Sequence, residues 1–455
     1  MQRREHAVVI GAGISGLLAV GALADHYTSV TVLERDQLPS DVANRPGIPQ
    51  GHHAHQLLAR GLQAMDELFP GLADELRDAG SPVVANLDDR HVEVFGHVVC
   101  QEHLDDPDPA LRALQPSRGL LESSLRQRVR RLGNVVLRDR FEVRAPVLTD
   151  DGTRPTGVAG TTADGTREVI PADLVVDASG TSSRAPWWLR DWSFPAPPTD
   201  EVKLNLSYVS QSLRMRPDPR LRCMYSVGLR IDRPVGFLLL AQEDGTWVFS
   251  VAGMGTHACA PDRQSMIEAV ASFAPREVLD ALRAAMELSE PREDHFPASR
   301  RRHFERLEFH PHGFVVIGDA ICALNPVYGQ GMTVAALEAL ALRDSVGGGR
   351  DGNLWHNYFR NVSRIVDAAW QLWTSTDLAI PEVEGELTTP MRFGNAWVDK
   401  VLQVAALDEA VAVDFLRVLS MVDRPGALLG PRTAGRVVRP RRPADEESWP
   451  RLPLF

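Results

Sequence analysis

The sequence predicts an α/β protein in which a parallel-sheet domain is interrupted by an antiparallel sheet and followed by a helical C-terminal region. Three observations predict it. Residues 6–36 read as strand, glycine turn, helix, strand, acid. Residues 202–254 switch to alternating or fully apolar runs (LNLSYVSQSLRM, RCMYSVGLRI, GFLLLAQE, TWVFSVAG) broken by Pro, Gly and Asp. Residues 314–339 then return to a buried strand, a polar loop and a helix, and beyond Asp351 the apolar spacing is helical.

The first unit is the most informative. Ala7 to Ile10 lead into Gly11-x-Gly13-x-x-Gly16, an Ala/Leu-rich helical stretch and a second apolar run ending in Glu34. Gly11 permits the tight turn, Gly13 lets the backbone approach a pyrophosphate, and Gly16 lets the helix pack closely on the strand. The helix N-terminus supplies positive potential to phosphates. Glu34, about twenty residues beyond the glycines, is placed to accept hydrogen bonds from ribose hydroxyls. This is a Rossmann-type dinucleotide-binding unit, with Arg35 beside its acid.

The segment FVVIGDAICALNPVYGQGMTV carries a carboxylate, Asp319, at the C-terminal edge of its strand, where open α/β sheets bind ligands. An ordinary strand-to-helix turn with an Asp cap would account for Asp319. It leaves Pro326, Gly329 and Gly331 unexplained. A helix starting near Gly331, followed by Met332, aims free N–H groups back at the site, and these can stabilise negative charge on a reduced flavin. Together with the N-terminal motif this resembles the class A flavoprotein monooxygenases, the para-hydroxybenzoate hydroxylase and squalene epoxidase group. The resemblance implies that Asp319 holds the ribityl chain of a non-covalent FAD, and that Pro326, Tyr328 and Gly329 lie beside the isoalloxazine ring.

Three further stretches extend the resemblance. In Asp177-Ala-Ser179-Gly180, serine stands where the family usually has Asp before Gly, a form similar to geranylgeranyl reductases and polyether-type epoxidases. Ser179-Gly180-Thr181 reads as a turn able to hydrogen-bond a phosphate or its neighbours. The run RPGIPQGHHAHQLL, from Arg45, is a shaped loop ahead of a helix expected near Ala54. It resembles the RPGxPQGRHxHxLL loop of bacterial polyketide epoxidases. That implies Arg45 at the FAD pyrophosphate and Gln50 beside the cofactor, with His52 replacing a common Arg. His52 and His55 are spaced for one helical face, but no carboxylate or Cys accompanies them, and polar packing is favoured over a metal site. Arg118 opens an amphipathic helix with Leu120, Leu121, Leu125 and Val129 inward; in the family an Arg at this place reaches FAD.

Composition sets the class. The chain has 455 residues, enough for two or three lobes, with 44% hydrophobic and 24% charged residues. A net charge of −11 argues against nucleic acid as a partner. No apolar run approaches the ~18 residues of a membrane span. The chain enters its first strand at once, leaving no room for a signal peptide, so a cytoplasmic location is expected. Cys100, Cys223, Cys259 and Cys322 are scattered without CxxC spacing, so neither a disulfide framework nor a zinc site is expected.

The expected organisation is an FAD-binding domain over 1–200 and 301–350, a substrate domain of mainly antiparallel sheet over 201–300, and a helical region over 351–455. Helices are expected near 263–273 and 276–286, Trp355, Trp370, Trp373 and Trp397 sit on apolar faces, and the Pro- and Arg-rich tail 436–455 is read as extended. The family resemblance implies a monooxygenase that uses NADPH or NADH and O2. Such an enzyme epoxidises or hydroxylates an apolar small molecule of specialised metabolism through a flavin C4a-hydroperoxide. A separate flavin reductase is an alternative electron source. The competing function is a flavin-dependent reductase of the geranylgeranyl reductase type, favoured by Asp177-Ala-Ser179-Gly180. Flavin-dependent halogenases use a lysine shortly after the N-terminal motif, and this chain has none before Lys203. A non-catalytic flavin-binding module is the fourth reading; steady NADPH oxidation would eliminate it.

Overall fold

The computed structural model describes residues 4–42, 45, 47, 49–348 and 354–439. Its centre is a five-stranded parallel sheet in the order Phe314–Val316, Leu174–Asp177, Arg4–Ile10, Tyr27–Leu33, Val135–Arg138. Ala7, Val8, Val9, Val30, Val32 and Val175 are fully buried, the near-continuous apolar pattern of a parallel sheet covered on both faces. Helices Ile14–Leu23 and Gly331–Gly347 pack on each other beside this sheet. The C-terminal ends of three strands therefore bring Gly11, Asp177 and the segment before Asp319 to one edge.

The second layer is a large, mainly antiparallel sheet. Strand Thr199–Arg214 pairs with Thr246–Met254 on one side and Arg292–Arg302 on the other. Val235–Ala241 and Met224–Val227 continue it, and Arg90–Val94 joins in parallel at its far end. Period-two alternation sorts its faces. Val209, Phe237, Leu239, Phe249 and Val251 point to helices Arg263–Val270 and Arg276–Ala284. Met224, Leu240 and Val248 point to the opposite side, where they pack on helices Thr389–Ala405 and Glu409–Leu419. Ser210 and Ser250, cross-strand partners, share that second face with them.

Several expectations need correction. The helix expected near Ala54 starts at Ala59. Before it, His53 and the Ala54 N–H bond Ser210 and Ser250 of the large sheet, so the backbone stays extended through Leu58. His52 and His55 consequently do not share a helical face. Arg436 to Val438 form the last turn of helix Pro431–Val438 rather than extended chain; residues 440–455 of the tail, like Pro46 in the loop, lie outside the described residues. Strand Arg292–Arg302 was not anticipated, because its charged sequence hides the period that its pairing imposes. The three-stranded antiparallel sheet of Glu142–Leu148, Pro155–Thr161 and Arg167–Pro171 was also missed. Trp355, Trp370 and Trp373 are buried as expected, and no described helix is long and apolar enough to cross a membrane.

Candidate functional site

The glycine turn is built as its sequence requires. Gly11 has φ +102°, and a Cβ there would sit 2.7 Å from the Ala178 carbonyl oxygen. A Cβ on Gly16 would fall 1.9 Å from the Gly11 carbonyl oxygen. A Cβ on Gly13 would meet nothing within 4 Å, so the turn opens onto free space at its middle glycine. Glu34, 7% exposed, accepts from the Ala12 N–H at 2.9 Å and the Asp36 N–H at 3.1 Å. Burial alone would push its carboxyl upward. Arg45 and the two backbone donors outweigh burial and hold it below the usual carboxylate range.

Arg45 turns inward rather than toward the open space. Its Nη1 lies 2.9 Å from Glu34, its Nε donates to Glu122 at 2.7 Å, and its Nη2 donates to the Ala12 carbonyl at 3.2 Å. Glu122, a residue sequence reasoning passed over, is the hub of this cluster. It also accepts from Arg118 Nε at 3.4 Å and lies 3.8 Å from Arg126 Nη1. The Arg118-Glu122-Arg126 spacing of four on one helix was the available signal. Three guanidinium groups, Arg45, Arg118 and Arg126, converge on Glu122, with Glu34 and Asp36 beside Arg45 and Asp319 near Arg118. Gln50 contributes its backbone carbonyl, which accepts from the His53 N–H at 3.0 Å and His55 Nε2 at 2.7 Å. Arg35 is exposed and has no hydrogen-bond or ion-pair partner among the described residues.

The three histidines point to three different partners. His52 Nε2 meets Arg292 at 3.0 Å, His53 Nδ1 meets Ser210 Oγ at 2.7 Å, and His55 meets Gln50. Burial drives His53 down to about 4 and His55 to about 3, so both are neutral near pH 7. No group of three His, Cys, Asp or Glu among the described residues could hold a metal. His52→Ala is expected to leave FAD retention largely intact, because its ring meets an exposed arginine of the large sheet rather than the glycine turn. An FAD titration of the purified variant checks this.

Asp177, fully buried, holds its own turn together. It accepts from the Ser179 N–H at 3.0 Å, Ser179 Oγ at 2.5 Å and Ser183 Oγ at 2.6 Å. The Ser179 hydroxyl is thereby engaged with Asp177. The motif also packs on the glycine turn: a Cβ added at Gly11 would lie 2.7 Å from the Ala178 carbonyl oxygen, and one at Gly16 3.5 Å from the Ala178 Cβ.

Asp319 lies in a short turn between strand Phe314–Val316 and the loop that precedes helix Gly331–Gly347. Its carboxylate has no hydrogen-bond partner among the described residues, and it is only half-buried. Burial pushes its pKa upward while the nearby Arg118 guanidinium opposes this. A Cβ on Gly331 would lie 4.0 Å from Asp319 Oδ1, which puts the helix start beside the carboxylate. Gly331 is exposed, Met332 half-buried, and Gly329 has φ +66°. Pro326 is exposed and Tyr328 is half-buried.

Behind this turn lies a second overlooked acid. Glu338 is completely buried, accepts from the Gly318 N–H at 2.5 Å, and is pushed up to about 8 by burial, with Asp319 adding to the effect. Its folded pKa exceeds the ordinary value, so its contribution to stability is full below about 4.5 and is lost as pH rises through 8. Each unit in that window removes up to about 1.4 kcal/mol. Glu338→Gln is therefore expected to match wild type near pH 5 and gain on it toward pH 8 in urea melts; a pH-independent difference would contradict this.

The residues present fit FAD: an open glycine turn, a ribose acid, an arginine cluster, and an unpartnered carboxylate at a helix start. No family model matches the chain. It is 36% identical over 430 residues to Protein Rv3254 of Mycobacterium tuberculosis (strain ATCC 25618 / H37Rv), covering 92% of this chain and 90% of that protein. Among solved structures it is similar to p-nitrophenol 4-monooxygenase PnpA from Pseudomonas putida DLL-E4 (TM-score 0.63, 18% identity, 91% of this chain and 97% of that one). It is also similar to the flavin-dependent brominase Bmp2 (TM-score 0.62, 16% identity, 91% and 93%). The chain thus belongs to the family of Protein Rv3254 and has the fold of the class A flavin-dependent monooxygenases.

Proposed function

We propose that the protein is a cytoplasmic FAD-dependent monooxygenase that takes electrons from NADPH or NADH and inserts one oxygen atom of O2 into an apolar small molecule. The observation that carries this reading is Asp319. Its unpartnered carboxylate sits beside the Gly331 helix start, with Arg118 close by and the Gly11–Gly16 turn on the same sheet edge. Bound FAD would supply the activation of O2. The chain's own residues would do the rest. Glu34 would accept from the ribose, Arg118 would balance the pyrophosphate with Arg45 held behind the turn by Glu34 and Glu122, and Asp319 would accept from the ribityl hydroxyls. The N–H groups at Gly331 and Met332 would face the ring edge where negative charge gathers on reduction.

The large sheet would roof the ring and carry the substrate. Met224, Leu238 and Leu240 lie on the apolar face that packs against helices Thr389–Ala405 and Glu409–Leu419, and Gln56 ties that face to the loop by donating to Met224 Sδ at 3.3 Å and lying beside Gly329. This division assigns FAD binding to 1–200 and 301–350, the substrate to 201–300 together with strand Arg90–Val94, and the covering helices to 351–455. The apolar character of this sheet face supports an alkene or aromatic substrate, with epoxidation or hydroxylation as the outcome. The absence of lysine before Lys203 counts against halogenation.

The test is a reaction under oxygen-18 gas with NADPH and candidate polyketide or terpenoid alkenes, read by mass analysis. One labelled oxygen in the product is expected. A product formed equally well without air would move the enzyme to the reductase reading.

A further inference from the structure

The loop between Asp319 and Gly331 is gripped from behind. Tyr328 OH donates to Asp377 Oδ1 at 2.6 Å, and Asn325 Nδ2 donates to the same oxygen at 3.0 Å. Asn325 Oδ1 accepts from the Val327 N–H at 3.2 Å, so one side chain shapes the turn and ties it down. The Tyr328 ring lies on Trp373, with centroids 3.9 Å apart and planes at 14°. Trp373 and Asp377 are one turn apart on helix Leu354–Asp377, so a single rigid element holds Tyr328 by its ring and its hydroxyl together.

This arrangement is costly as mere packing. Asp377 is 1% exposed, and neither its Oδ2 nor Trp373 Nε1 has a hydrogen-bond partner among the described residues. A well-packed apolar pair would fill the same space without burying an acid, so the buried carboxylate calls for a role beyond packing. Burial drives the Asp377 carboxyl up to about 7, against the hydrogen bonds from Tyr328 and Asn325, which favour its charged form.

We propose that Trp373 and Asp377 are positioning residues which clamp Tyr328 and thereby set where the Asn325–Gly331 loop presents its backbone to the flavin. The inference rests on the flavin reading of the site given above. The clamp fixes the loop's position, and the helix start that follows it inherits that position. Its effect should appear in flavin properties as well as in rate.

The test uses holoprotein of wild type, Tyr328→Phe, Asp377→Ala and Asp377→Asn, and reads FAD dissociation constant, visible absorption and flavin midpoint potential. Tyr328→Phe keeps the stack and loses the hydrogen bond; it should weaken FAD roughly fivefold and shift both potential and absorption. Asp377→Ala should do the same, with the double variant no worse than either alone. Asp377→Asn, whose amide oxygen can accept both bonds, should return close to wild type. Unchanged affinity, absorption and potential in Tyr328→Phe would overturn the proposal, even if thermal stability falls. That variant decides the matter should Asp377→Ala fail to fold. A wild-type chain that binds no FAD at all would overturn the reading of the whole site, and the clamp with it.

Discussion

Gly16→Ala is expected to abolish FAD binding and to destabilise the chain more than any other single-methyl change at the site. The added carbon would sit 1.9 Å from the Gly11 carbonyl oxygen. That atom is backbone, and Gly11 is held in place by donating its N–H to the Leu33 carbonyl at 2.8 Å. Either helix Ile14–Leu23 lifts off the sheet or the turn opens. Lifting the helix disturbs a core in which Leu17, Leu18, Val20 and Leu23 are all fully buried. Overpacking of this kind costs about 3 kcal/mol or more. The helix N-terminus would also be displaced from its phosphate, so affinity for FAD should fall more than a hundredfold. Gly13→Ala is the control, because a Cβ there meets no protein atom. It should fold normally and lose affinity only through contact with the cofactor. Denaturant melts and FAD titrations of the two variants separate fold from binding.

Asp319→Ala is expected to lower FAD affinity by about ten- to a hundredfold while leaving the fold intact. The carboxylate spends no hydrogen bond on the protein, so removing it strands no donor. What is lost is a charge-assisted contact to a ribityl hydroxyl, worth roughly 1.5–3 kcal/mol. Arg118 keeps Glu122 as partner and should stay in place. Equal loss of FAD from Asp319→Ala and His52→Ala would contradict the division of roles between these two residues.

The sequence made the sheet edge legible because glycine turns and strand-end acids are local features. Gly11, Gly13, Gly16, Glu34, Asp319 and Gly331 sit within a few residues of the strand or helix that positions them. Arg45 was legible as a charge near the turn, but not as a group bridging Glu34 and Glu122, since Glu122 lies 77 positions away. Asp377 and Trp373 lay beyond reach for the same reason. They meet Tyr328 only because helix Leu354–Asp377 folds back against the loop. The helix expected at Ala54 failed through competition: His53 and Ala54 found partners on strands 157 and 196 positions distant, and those bonds hold the chain extended. Strand Arg292–Arg302 failed through composition, as an exposed, charged face leaves no apolar alternation to read.

This sheet edge is expected to hold FAD without a covalent bond. Heat-denatured protein, spun free of precipitate, should release a yellow compound that chromatographs as FAD in near-equimolar amount. Release of FMN, or colour that remains on the precipitated chain, would contradict it.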